Sequence, residues 1–173
     1  GERPIFDLSK VKPANKRISV FYLYGSYLHF KNFEIVGTQV TITTHTQSEC
    51  FSGRNGNNNI IENIAMHHGM AIGVYIKKGS NNLILNCDAY NNYDTVSEGG
   101  KGGNVDGFGC HVEAQYTGNV FRGCRSWCNS DDGFDLINNY ASVTFDHCWA
   151  FYNGYQNFTT LTPGDGNGFK AGG

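Results

Sequence analysis

Ser130-Asp131-Asp132-Gly133-Phe134-Asp135-Leu136 is one of four related segments, and the way the four align decides the fold. The others are Ile72-Gly73-Val74-Tyr75, Asp106-Gly107-Phe108-Gly109 and Asn167-Gly168-Phe169-Lys170. If each is a strand on a successive coil of a solenoid, Val74, Phe108, Phe134 and Phe169 stack as one apolar column. Tyr75, Gly109, Asp135 and Lys170 then form the column beside it. Neighbouring strands lie about 4.8 Å apart, so an acid and an amine meet across one strand spacing. That arrangement resembles a metal site beside a base.

Working outward, the repeat extends through the rest of the chain. Phe33, Ile64, Cys87, Cys124 and Cys148 serve as anchors, separated by 31, 23, 37 and 24 residues. Three residues before each lies Phe30, Ile61, Ile84, Phe121 or Phe145, and two residues after lies Ile35, Met66, Ala89, Ser126 or Ala150. These are core positions. Asn92, Asn129 and Asn153 follow their anchors by five residues, with Gly69 in the same place one coil earlier. Amides at such a position can hydrogen-bond up a stack at a turn that accepts left-handed backbone.

The distance from anchor to phenylalanine column alternates between 10 and 21 residues, so two coils carry an insert. The inserts are Tyr93 to Val105 and roughly Tyr155 to Gly166, and both lead into the acidic segments. Inserts on a repeat scaffold gather on one face, often the binding face. Short strands, Gly/Asn turns and a period in the twenties fit an all-β parallel helix better than a sandwich. Leucine-rich repeats lack support because their Leu-x-x-Leu-x-Leu signature is missing.

Composition agrees. The 173 residues include 23 Gly, 20 Asn and 3 Pro, with none of the Ala-, Glu- or Lys-rich stretches that favour long helices. One domain over residues 1–173 is expected. A net charge of −2 and the absence of a Lys/Arg cluster argue against a nucleic-acid face, and no apolar run is long enough to span a bilayer. The chain starts at Gly1 and ends three residues after Lys170, and is read as part of a longer solenoid with coils missing at both ends. Six cysteines show no zinc spacing. Cys87, Cys124 and Cys148 share one repeat position, as buried thiols packing like apolar residues would.

Asp106, Asp131, Asp132 and Asp135 converge if the coils stack. A carboxylate-rich oxygen cluster suits Ca²⁺, and without a cation it should repel itself. A single Asp-Gly is ordinary turn chemistry, but recurrence in register points to a shared site. Gly-Gly-Asn-Val-Asp-Gly-Phe loosely resembles the repeat of a calcium β-roll, without its tandem copies. Lys170 has the surface lysine as its bland alternative, against which stand its column and its glycine-rich surroundings. His67, His68, His111 and His147 are read as stacking or turn residues, and Tyr90, Trp127 and Phe151 as an aromatic ladder that packs.

Asp106-Gly107-Phe108, Asn129 to Leu136, Cys148 to Tyr155 and Gly166-Asn167-Gly168-Phe169-Lys170 resemble the family 9 polysaccharide lyases, a similarity that runs from about Tyr27 to the last residue. Members of that family are secreted pectate lyases and rhamnogalacturonan lyases on a right-handed parallel β-helix. The resemblance implies that Asp106, Asp131, Asp132 and Asp135 hold Ca²⁺ and that Lys170 is the catalytic base. It implies β-elimination on an acidic plant polysaccharide, the pectin backbone, by an extracellular or periplasmic enzyme, expected to be a monomer. A β-helical glycoside hydrolase of the polygalacturonase type, and a non-catalytic carbohydrate-binding solenoid, remain the alternatives.

Overall fold

The computed structural model describes residues 2–172. The chain winds as a parallel β-helix, each coil placing one short strand in each of three sheets. The first sheet stacks Ile5–Asp7, Glu34–Val36, Ala65–His67, Asp88–Tyr90, Arg125–Trp127 and Trp149–Phe151. The second stacks Ser19–Leu23, Ser48–Arg54, Ala71–Lys78, Phe108–Cys110, Phe134–Asp135 and Phe169–Lys170. The third stacks His29–Lys31, Ile60–Glu62, Leu83–Leu85, Asn119–Arg122 and Val143–Asp146.

The register is the one the repeat implies. Ile35, Met66, Ala89, Ser126 and Ala150 are successive partners in the first sheet, and Phe30, Ile61, Ile84, Phe121 and Phe145 in the third. In the second sheet Val74, Phe108, Phe134 and Phe169 pair in one column and Tyr75, Gly109, Asp135 and Lys170 in the next. Inward-facing aromatics stack within the coil: Phe108 on Phe134 at 5.0 Å and Phe134 on Phe169 at 4.7 Å between ring centres. On the outer side of the first sheet His67, Tyr90, Trp127 and Phe151 lie face to face, so the expected aromatic ladder includes a histidine.

Asparagines close the turns as expected. Asn92 donates to Asn129 at 3.0 Å and Asn129 to Asn153 at 3.1 Å, while Asn92 accepts from the Gly69 amide. The left-handed backbone falls one residue earlier than the asparagines themselves, at His68, Asn91, Cys128 and Tyr152. A second ladder, Asn59–Asn82–Asn119, does the same work at another corner. The repeated glycine of the Asp-Gly-Phe segments is not a turn glycine at all, since Gly107 and Gly133 have negative φ. A Cβ on Gly133 would lie 2.6 Å from both Asn153 Nδ2 and Gly168 O, so a side chain there would collide with the next coil. These glycines let the chain bend inward and leave the preceding aspartate at the rim.

One coil precedes those found by the repeat, because Ile5–Asp7 pairs with Glu34–Val36 and Phe21 with Phe51. The first insert contains a short 3₁₀ turn, Ser97–Gly99, and the second an antiparallel pair, Tyr155–Gln156 with Thr160–Leu161. Cys87 and Cys124 are buried, and with Cys148 they turn their thiols to the carbonyls of Ile61, Ile84 and Phe121 in the neighbouring coil. No cysteine pairs with another among the described residues. No helix is long and apolar enough to cross a membrane among the described residues.

Candidate functional site

The acidic segments meet at the rim of the second sheet. Asp106 and Asp132 each lie two residues before a paired phenylalanine and are buried, as is Asp135 one residue after its own. Asp106, Asp132 and Asp135 each offer an oxygen within 4.8 Å of the others. Asp131 is placed differently from the expectation of a single four-acid cluster. It joins Asp132 and Asp165 in a second group that shares only Asp132 with the first. Asp165, near the end of the second insert, carries no periodic signal and reaches the site only because that insert folds back. Its amide donates to Asp131 Oδ1 at 2.7 Å.

Lys170 stands at the junction. Its Nζ lies 3.2 Å from Asp132 Oδ2 and 3.1 Å from Asp165 Oδ2. Asp106, Asp131, Asp135, Asp165 and Lys170 border one cleft of about 450 Å³, walled in part by Gly103 and Asn104 of the first insert and Pro163 and Gly164 of the second. Both inserts therefore do reach the site. His111 also lines this cleft, contrary to its reading as a stacking or turn residue. Its Nε2 is 3.2 Å from Asp135 Oδ2 and its Nδ1 3.3 Å from the Tyr75 hydroxyl. His111 follows the strand's last residue, Cys110, with its amide donating to the Ile76 carbonyl at 2.9 Å, a position beyond the paired columns that the repeat pattern does not register.

Crowding sets the electrostatics. Burial, reinforced by the charges of Asp131, Asp135 and Asp132, pushes the Asp106 carboxyl well above the usual range. Burial pushes Asp131 up to about 6, against the hydrogen bond from the Asp165 amide. Burial alone would raise Asp135 too, but the close approach of His111, a hydrogen bond from the Ile137 amide, and the charges of His111 and Lys170 bring it below its ordinary value. For Lys170 burial favours the neutral amine, yet the pairs with Asp165 and Asp132 outweigh it and hold the ammonium above the usual lysine range.

One atom bears on cation binding directly. Asp132 is fully buried; its Oδ1 accepts from Asn167 N at 2.8 Å and Asn167 Nδ2 at 2.9 Å, but its Oδ2 makes no hydrogen bond. The Lys170 ammonium lies near that oxygen without hydrogen-bond geometry. An unbonded, buried carboxylate oxygen facing two further carboxylates is costly on its own and matches the all-oxygen donor set preferred by a hard divalent cation. The residues thus fit such an ion.

Comparison with known proteins places this geometry in a group. A family model described as Pel9A-like, right handed beta helix region, matches residues 1–173. The chain is 41% identical over 176 residues to a protein named pectate lyase L from Dickeya chrysanthemi, covering 99% of this chain and 38% of that one. A solved structure named rhamnogalacturonan lyase superposes with a TM-score of 0.96 at 62% identity, covering all of this chain and 42% of its own. The crystal structure of pectate lyase Pel9A gives a TM-score of 0.74 at 36% identity, over 98% and 40% of the two chains. The chain therefore spans about two fifths of the length of these relatives.

Proposed function

The chain belongs to the Pel9A-like right-handed β-helix family, and on that premise we propose that it carries the catalytic centre of a polysaccharide lyase acting on galacturonate-containing pectin by β-elimination. The observation that carries this reading is the Lys170 ammonium held 3.2 Å from a buried, otherwise unbonded oxygen of Asp132, in a cleft shared with Asp106, Asp131 and Asp135. In this reading those four aspartates hold Ca²⁺. Bound calcium supplies a Lewis acid and template for the uronate carboxylate, which makes the C5 proton more acidic.

Lys170 in its neutral form removes the C5 proton. The C5–H electrons become the C4–C5 double bond while the C4–O bond breaks, leaving its electron pair on the departing sugar oxygen, which takes up a proton. Gly103, Asn104, Pro163 and Gly164 from the two inserts wall the cleft and orient the sugar over Nζ. The higher identity to the rhamnogalacturonan lyase than to the pectate lyases favours rhamnogalacturonan over polygalacturonate as the backbone cleaved. The enzyme is taken to act outside the cell, as a monomer.

The product decides the reaction class. Incubation with either polymer should yield an unsaturated uronate absorbing in the ultraviolet, since the new double bond is conjugated with the carboxylate. New reducing ends without that absorbance would mean hydrolysis and sink the lyase reading. Calcium should also raise the melting temperature, because a ligand held only by the folded state stabilises it, by about 2.7 kcal/mol at a hundredfold excess over Kd. That shift should vanish in Asp132→Ala and Asp135→Ala. It should be larger at neutral pH than near pH 5, because Asp131, pushed up to about 6, and Asp106, held well above the usual carboxylate range by burial, must lose protons for a cation to bind. Equal shifts in wild type and both variants would overturn the ligand set.

A further inference from the structure

The columns that build the cleft continue along the second sheet towards the amino terminus. Glu49 is the register partner of Ile72, and Ile72 precedes Val74 by two residues as Asp106 precedes Phe108, the partner of Val74. Glu49 therefore occupies the Asp106 column two coils earlier, roughly 10 Å away. Like those aspartates it is fully buried, but it is met by two guanidiniums, Arg17 at 2.5 Å and Arg54 at 2.8 Å. Arg54 also donates from Nε to Ser52 Oγ at 2.7 Å and lies over the Tyr75 ring at 5.2 Å. Ser52 and Tyr75 belong to the column that runs through Gly109 to Asp135 and Lys170.

Two guanidiniums around one carboxylate leave one positive charge over. A buried glutamate needs a single partner for neutrality, and the second Arg, with its side chain 44% exposed, is open to solvent. Arg54 is clamped by Glu49, Ser52 and Tyr75, so its planar fork is pre-organised, the condition under which guanidinium binds carboxylate best. Exposed Lys78, the register partner of Arg54, adds charge of the same sign. Between this cluster and the aspartates lies Gly109, where a Cβ would stand 3.0 Å from Tyr75, so the floor of the sheet stays open.

We infer that Arg54, seated on Tyr75, and Arg17, which meets it at Glu49, form a distal subsite for the carboxylate of a second uronate in the polysaccharide, three to four sugars from the bond at Lys170. This rests on the reading given under Proposed function. A pyranose is about as long as one strand spacing, roughly 4.8 Å, and the strand of Arg54 lies three strands from Asp135 and four from Lys170, a span of three to four sugars.

The test uses a Lys170→Ala background with calcium present, so that no turnover occurs, and measures binding of an acidic pectic hexasaccharide and of the same sugar with its carboxyls reduced. Arg54→Gln should weaken binding of the acidic sugar about tenfold or more and leave the reduced sugar unaffected, with Arg54→Lys between. Arg17→Gln should act in the same sense. Should Arg54→Gln fail to fold, Arg17→Gln and the parent decide, since the parent should bind the hexasaccharide more tightly than a disaccharide too short to reach Arg54. The subsite is overturned if folded Gln variants bind the acidic sugar like the parent, if both sugars weaken equally, or if chain length has no effect. An arginine effect with no unsaturated product from wild type would sink the lyase reading alone; product without an arginine effect would sink the subsite alone.

Discussion

Lys170→Ala should cut elimination by about 10²-fold or more in a catalytically active form of the protein, the loss typical of removing a general base. Calcium affinity should be retained or slightly tightened, because the ammonium that now sits by Asp132 Oδ2 competes for the same oxygen. Lys170→Arg should fail nearly as badly, since a guanidinium stays protonated at any workable pH. The pairs with Asp165 and Asp132 hold the lysine above its usual range, so the base form is scarce near neutrality and the wild-type rate should climb with pH. Calcium titrations and initial rates across pH on the three proteins check all of this. A variant keeping more than roughly a tenth of the wild-type rate would remove Lys170 from the reaction.

Phe134→Ala should cost about 3–5 kcal/mol of folding stability, the range for truncating a fully buried aromatic. The ring is 1% exposed, stacked between Phe108 and Phe169 and edge-on to Phe121 and Phe145. Its neighbours are locked by the coils on either side, so the cavity has little room to collapse. Phe6→Ala, at a ring 42% exposed, should cost far less. Denaturant melts of both variants give the comparison, and a loss under about 1 kcal/mol for Phe134→Ala would mean that the stack is not close-packed. Calcium should recover part of the loss, because Asp132 and Asp135 flank the ring and a cation held between them favours the folded coil.

In a solenoid, a residue's neighbours across the coil are those at the same place in the repeat, and like side chains stack on like. The Phe108–Phe134–Phe169 column, the Asn92–Asn129–Asn153 ladder and the pairing of Asp135 with Lys170 were therefore legible in the chain itself. The repeated identity of one position was enough to set the register and to gather most of the acidic site. Contacts between residues at different places in the repeat left no such mark. Asp165 reaches Asp131 and Lys170 only because an insert folds back over the coil, and His111 reaches Asp135 from the segment that leaves the strand after Cys110. Arg17 and Arg54 converge on Glu49 from different coils, and the coil at Ile5–Asp7 sets Pro4 where the later coils carry the anchors Phe33, Ile64 and Cys87, so it lacks the repeated residue that marked the others. Stacking at a fixed spacing was written in the sequence; where loops close and long side chains turn depends on packing in three dimensions, which no repeat position encodes.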